Sequence, residues 1–341
     1  MNSQHNSFLV DVDSLRCNAA ARGLDIPIVI WDDSCPSTND ELSDLVRGTS
    51  TLAEAPAGIT RSVSTADGID LAEAPAEFTV HGTDFQNAGH GRLGRVWTVP
   101  ERRSLTFSIL LEPGSVFDSW GWIPLLAGEA VRAAITEAGA PAVLKWPNDV
   151  LTAEGKKLCG ILARVETLAS GPRIVLGMGI NTRLEPTDLP RESASSIAIE
   201  KGTDGSEIDH EVLLISILSR LIPAYRELVE YGDVDFSSST SAAAVRENMV
   251  TLGTRVRVER PDGTNLYGQA TGLDSGGDLI IDDKTVVSAG DVHHLRNADE
   301  GNVGASSAEG SVVGDGSSVT DDESSVVGDG DSTSTGFGGG R

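Results

Sequence analysis

From residue 26 to residue 230 the apolar residues fall in short runs of strand character, broken by three stretches of helical period. That alternation requires a sheet with helices laid over it. Strands are read at Ile26–Trp31, 78–84, 104–111, Ala142–Trp146, Lys157–Glu166 and Arg173–Ile180, and helices at Ser37–Arg47, 119–138 and 209–230. The expected class is α+β, a mixed sheet with covering helices. From Leu252 onward the pattern changes to short strands with tight turns, TRVRVERPDGTNLYGQATGLDSGGDLIIDD and then KTVVSAGDVHHL, with PDG and SGGD as turn signals. A small β-barrel of about 45 residues fits that pattern.

The chain therefore divides into a short N-terminal segment (1–24), a main domain (25–248), a C-terminal barrel (249–296) and a tail (297–341). The tail holds nine acidic residues and one Arg, repeats SVVGDG, and offers almost nothing apolar to bury. Its composition predicts disorder. A second repeat, LAEAPA, occurs at Leu52–Ala57 and Leu71–Ala76. The second copy runs into Phe78-Thr-Val-His, read as a strand, so residues 49–70 are expected to be a looped-out insertion.

Net charge is −25, with 21 Arg but only five Lys. An acidic field of this size opposes nucleic-acid phosphates and anionic membranes, so neither is expected as a partner. Acidic excess with scarce lysine also suits a halophilic cytoplasm, where molar salt screens self-repulsion. Three unpatterned cysteines, no long apolar run and no export signal agree with a cytoplasmic location.

Against that acidic background, four segments concentrate unusual chemistry. The first is Pro36-Ser-Thr-Asn-Asp-Glu, where Thr38 and Glu41 have capping-box spacing at a helix start. A capped helix suffices to explain it, although free N–H groups there can also meet a ligand. The second, Gln86-Asn-Ala-Gly-His-Gly-Arg-Leu-Gly-Arg-Val-Trp, puts three glycines and two arginines between strands. Backbone N–H groups and forked guanidinium contacts make it an anion-binding loop, but it has neither Walker nor dinucleotide spacing. The third is Lys145-Trp-Pro-Asn-Asp followed by Lys156-Lys157-Leu-Cys-Gly-Ile-Leu, which holds three of the five lysines within thirteen residues. Compact ammonium groups suit carboxylate or phosphoryl oxygens, and the Asn-Asp pair offers oxygens to Mg²⁺. The fourth, Gly177-Met-Gly-Ile-Asn, ends an apolar strand and by itself fits a tightly packed turn.

Together and in this order, these segments resemble the biotin protein ligases, whose pattern runs STN, GRGRxGRxW, KWPND, KLxGIL and GxGIN. The resemblance spans roughly residues 25–296. It implies a catalytic domain like that of class II aminoacyl-tRNA synthetases, an SH3-like C-terminal barrel, and ATP-dependent attachment of biotin to a lysine of a biotin carboxyl carrier protein or domain. By the same resemblance Ser37, Thr38, Asn39, Gln86, Gly89, His90, Gly91, Arg92, Lys157, Gly160 and Gly177 would bind biotin. Arg92, Arg95, Trp97, Lys145, Asn148 and Asn181 would bind ATP. Lys157, Arg92 and Asp149 would carry the catalysis, with Asp149 as the Mg²⁺ contact. Two positions depart from the pattern: His90 replaces the usual first loop arginine, and Leu93 is uncharged.

Some members of the family are repressors with an N-terminal helix-turn-helix. Only about 25 residues precede the first strand here, so that form is not expected. The rivals are a lipoate protein ligase of the same fold class, which the RLGRVW and KWPND segments disfavour, and a non-catalytic biotin-binding module, which Lys157, Arg92 and Arg95 disfavour. A homodimer is left open.

Overall fold

The computed structural model describes residues 8–52, 54–70, 75–114, 117–232 and 234–295. In chain order the elements are α1 (Val12–Ala20), β1 (Ile28–Asp32), α2 (Thr38–Arg47), β2 (Arg61–Thr65), β3 (Val80–Thr83), β4 (Gly89–His90), β5 (Val96–Trp97), β6 (Ser104–Leu111) and α3 (Trp122–Glu137). There follow β7 (Val143–Lys145), β8 (Asp149–Leu151), β9 (Lys157–Leu168), β10 (Gly171–Asn181), α4 (Ile197–Lys201), α5 (His210–Tyr231) and α6 (Thr240–Glu247). Strands β11 (Arg255–Glu259), β12 (Asn265–Leu273), β13 (Leu279–Ile281), β14 (Thr285–Val287) and β15 (Asp291–His294) complete the fold.

Eight strands form one sheet in the order β2-β1-β3-β6-β10-β9-β8-β7. Only β1 and β3 pair in parallel; every other neighbour is antiparallel. The expected mixed sheet with covering helices is observed. The two-residue period of β1 shows how its faces are used: Val29 and Trp31 enter the main core with α1, α3 and α5, while Ile28 and Ile30 meet Leu42, Leu45 and Val46 of α2 on the other side. Each such buried aliphatic side chain contributes about 1.5–3 kcal/mol.

The segment before the first strand is part of the fold. Asp11 caps α1 by accepting from Ser14 N, and Leu15 and Ala19 are fully buried. The looped-out reading of 49–70 needs correction, because residues 61–65 are the edge strand β2, paired antiparallel along all of β1. Leu52 is buried beside α2. The copy of the repeat at 71–76 begins outside the described residues, as does the whole tail from 297.

The helix start also differs in detail from the capping-box reading. Ser37 is the N-cap, its Oγ accepting from Asp40 N at 3.4 Å. Thr38 is instead occupied by Gln86 and Ser108, and Glu41 turns to Arg61.

The C-terminal strands form a five-stranded antiparallel sheet, β14-β13-β12-β11-β15. It belongs to the same compact unit as the large sheet. Trp122 Nε1 donates to Ser275 O at 2.8 Å and Trp146 Nε1 to Gly277 O at 3.2 Å, tying it to the start of α3 and to the β7–β8 turn. Among the described residues no helix is long and apolar enough to cross a membrane, and the three cysteines are unpaired.

Candidate active site

A cavity of about 520 Å³ opens on the large sheet where the N-terminus of α2, the glycine-arginine loop, the β7–β8 turn, the start of β9 and strand β15 converge. Its two ends differ in chemistry.

At one end the groups are uncharged and fixed by hydrogen bonds. Gln86 Oε1 accepts from Thr38 N at 3.0 Å, and Asn39 Nδ2 donates to Leu162 O at 3.1 Å. The Ser108 hydroxyl, from the middle of β6, lies 2.8 Å from Thr38 Oγ1 and 2.6 Å from Asn39 Oδ1. Gly177 lies directly beneath: a Cβ there would stand 2.2 Å from Asn39 Oδ1. The Trp97 indole lies against Gly160 and Gly179, where added Cβ atoms would come within 3.2 and 2.7 Å of it. Glycines on β9 and β10 thus make a flat bed for the ring.

At the other end five cations, Arg92, Arg95, Lys145, Lys157 and Arg191, face the cavity with two carboxylates, Asp149 and Asp291. In a chain of net charge −25 this is a local reversal of sign. The Lys157 ammonium donates to Asp149 Oδ1 at 2.5 Å and lies 5.9 Å from the centre of the Trp97 ring. Asp149 opens β8, opposite Lys145 on β7 and Gly160 on β9. The hairpin therefore brings both lysines to one carboxylate.

Burial, together with the positive charge of Lys157 and Arg95, holds the Lys145 ammonium below its ordinary pKa, with Asp149 opposing. Arg92 is shifted the same way by burial and by Arg95, again against Asp149. Both shifts mean that an incoming anion would be stabilised by cations poorly served by solvent.

The glycine-arginine loop is anchored to two neighbours. Arg92 donates to Asn148 Oδ1 at 3.1 Å and to Gly290 O at 3.4 Å, and Arg95 pairs with Asp291. Asn148 in turn donates from Nδ2 to Ile161 O. His90 sits on the rim, half-exposed, with Nε2 3.0 Å from Asp40 Oδ2; the other Asp40 oxygen pairs with Arg164 at 2.5 Å.

Of the residues singled out in the sequence, Ser37, Thr38, Asn39, Gln86, His90, Gly91, Arg92, Arg95, Trp97, Lys145, Asn148, Asp149, Lys157, Gly160 and Gly177 come together around this one cavity. Gly89 and Asn181 do not line it. Gly89 is packed under Gln86 and Trp97, with no space for a Cβ. Asn181 instead braces the backbone, its Nδ2 donating to Ser195 O at 2.9 Å and Lys157 O at 3.3 Å.

Sequence reasoning missed Ser108, Gly179, Arg191, Asp291 and His293. Gly179 lies inside GMGIN and could have been found there. The others have no local signal: Ser108 is one of three hydroxyls in the run SLTFSILL and reaches the site only through Thr38 and Asn39, and Asp291 and His293 arrive from the C-terminal sheet.

The chain is similar to known ligases. The Biotin/lipoate A/B protein ligase family model matches residues 59–181. The biotin--[acetyl-CoA-carboxylase] ligase of Mycobacterium tuberculosis is 37% identical over 223 residues, 62% of this chain and 77% of that protein. The ligase of the same name from Paracoccus denitrificans is 30% identical over 207 residues, 58% of this chain and 80% of that protein. The bifunctional ligase/repressor BirA of Bacillus subtilis is 32% identical, but only 62% of its length is covered. Among solved structures, the biotin protein ligase from Aquifex aeolicus in complex with biotin and ATP has a TM-score of 0.56 and 25% identity, over 79% of this chain and 98% of that one. By identity to its relatives and by the extent of their length that it covers, the chain belongs to the biotin protein ligase family.

Proposed function

We propose that the protein activates biotin with ATP as biotinyl-5'-AMP and transfers the biotinyl group to one lysine of a biotin carboxyl carrier protein or domain. The observation that carries this reading is that one cavity joins neutral, hydrogen-bonding groups to a cluster of five cations in which Lys157 is paired with Asp149. A small acid whose carboxylate must meet a triphosphate needs both, because like charges oppose their approach.

In this reading Ser37, Thr38, Asn39 and Gln86 hold the body of biotin, with Gly177 leaving space for it. The Lys157 ammonium receives the biotin carboxylate. A carboxylate oxygen attacks the α-phosphorus, the bond to pyrophosphate breaks, and Arg92, Arg95 and Lys145 compensate the charge on the phosphoryl oxygens. The acceptor amine then attacks the acyl carbon, the bond to AMP breaks, and the amine proton is lost beside Asp149. No enzyme nucleophile is required; positioning and charge compensation carry both steps.

Magnesium fits as part of the nucleotide. Among the described residues no group of three or more His, Cys, Asp or Glu is arranged to hold a metal, whereas Mg²⁺ commonly sits on phosphate oxygens and water with one or two carboxylates. Asp149 would be its protein contact, and the ion would supply charge neutralisation. The same reading puts the protein in the cytoplasm, where ATP is available.

The test is incubation with ATP, Mg²⁺, a carrier domain and either biotin or lipoate, followed by mass spectrometry of the carrier. The expected result is a biotinyl mass gain on one lysine and none from lipoate. Lipoylation would move the reading to the sister activity, and no mass gain from either acid would favour a binding module.

A further inference from the structure

The segment that the sequence presents as an insertion carries a buried arginine that no step above uses. Arg61, the first residue of β2, has a side chain 4% exposed, and it forks onto Asp32 at the end of β1, Nε to Oδ1 and NH2 to Oδ2, both at 2.7 Å. Its NH2 also donates to Glu41 Oε2 at 3.3 Å. The second oxygen of Asp32 accepts from His81 Nε2 at 2.9 Å. Burial opposes ionisation of Asp32, yet the hydrogen bonds from Arg61 and His81 outweigh it and hold the carboxyl below its ordinary range.

The location of this network gives it meaning. Glu41 lies in the first turn of α2, two residues after Asn39 and on the helix whose N-terminus forms the neutral end of the cavity. The connection from β1 to that helix is held by the same segment, since Asp33 N donates to Thr60 O and Thr60 N to Asp33 Oδ1. Buried ion pairs are weak contributors to net stability because desolvation offsets their attraction, but a forked guanidinium fixes angle and distance between the groups it joins.

We propose that Arg61 is a positioning residue for biotin: it locks the first turn of α2 to the end of β1 and so sets the placement of Thr38 and Asn39 in the cavity. The inference rests on the biotin reading of that end of the cavity. It assigns to the 49–70 segment a part in substrate affinity.

Calorimetry on the full-length protein tests it, with biotin and ATP titrated separately into the wild type, Arg61→Met, Arg61→Lys and Glu41→Gln. Arg61→Met is expected to weaken biotin about tenfold or more, equivalent to about 1.4 kcal/mol, while ATP affinity stays within about twofold. Arg61→Lys should recover part of the loss, and Glu41→Gln should weaken biotin about threefold with an unchanged melting temperature. Wild-type biotin affinity in folded Arg61→Met, or equal losses for biotin and ATP, overturns the proposal. If Arg61→Met does not fold, Glu41→Gln decides, and unchanged biotin affinity there overturns it. A wild type that binds biotin without transferring it would refute the ligase reading alone, and one that binds no biotin would refute both.

Discussion

Gly177 is a residue whose role can be argued from distance alone. A Cβ at that position would stand 2.2 Å from Asn39 Oδ1, which is itself 2.6 Å from the Ser108 hydroxyl. Gly177→Ala is therefore expected to displace the Asn39 amide and weaken biotin binding by about tenfold or more, read by calorimetry; an unchanged affinity would show that Asn39 does not touch the ligand. His210 makes a prediction in pH. Its imidazole is pushed down from 6.5 to about 3, first by burial and then by Arg183 and Arg102. The folded state thus binds fewer protons than the unfolded chain between those values. Stability is fully present above the unfolded value and falls as pH drops through the window, by up to about 1.4 kcal/mol per unit. Urea unfolding between pH 7 and 5 should show a shallower loss for His210→Gln than for the wild type; parallel curves would remove His210 as a cause. At this scale the site residues legible in the sequence were those whose chemistry is rare in the chain, such as Lys157 among five lysines. Ser108 and Arg61 were not legible, because their partners lie 69 or 70 positions away for Ser108 and 20 or 29 positions away for Arg61.

The elements that the sequence located best are those with strong period and length. Strands β6, β9 and β10 and helices α2, α3 and α5 lie within a few residues of their expected bounds. Helices α1 and α6 and strand β2 were not expected, and for β2 the reason is physical. Its residues RSVST are weakly apolar and only one is buried, so pairing with β1 and the Arg61 network, not burial periodicity, hold it in place. The union between the two sheets is a similar long-range matter. Gly277 has φ +88° in the SGGD turn, and a Cβ there would stand 2.9 Å from Gly121 C and Trp122 N. Gly277→Ala combines left-handed strain with that collision, so it is expected to lower stability by about 2 kcal/mol or more and to loosen β15 from the cavity. Thermal unfolding together with ATP affinity would read both effects; a variant that melts like the wild type would show that the turn is not pressed against α3.

At the scale of the whole molecule, a chain of net charge −25 contains a cavity rimmed by five cations. The self-repulsion of such a surface is screened over about 3 Å at 1 M salt, so the melting temperature is expected to rise as KCl is raised from about 0.1 to 2 M. A melting temperature that falls over that range would contradict the halophilic reading of the composition. The same contrast of sign underlies the account of function, since the cationic end is where a triphosphate gains most and Lys157 is one of its cations. The most direct test is exchange of labelled pyrophosphate into ATP, with Mg²⁺ at molar KCl, for the wild type and Lys157→Ala. The account predicts exchange that requires biotin and is lost in Lys157→Ala; exchange that ignores biotin, or that survives the substitution, would contradict it.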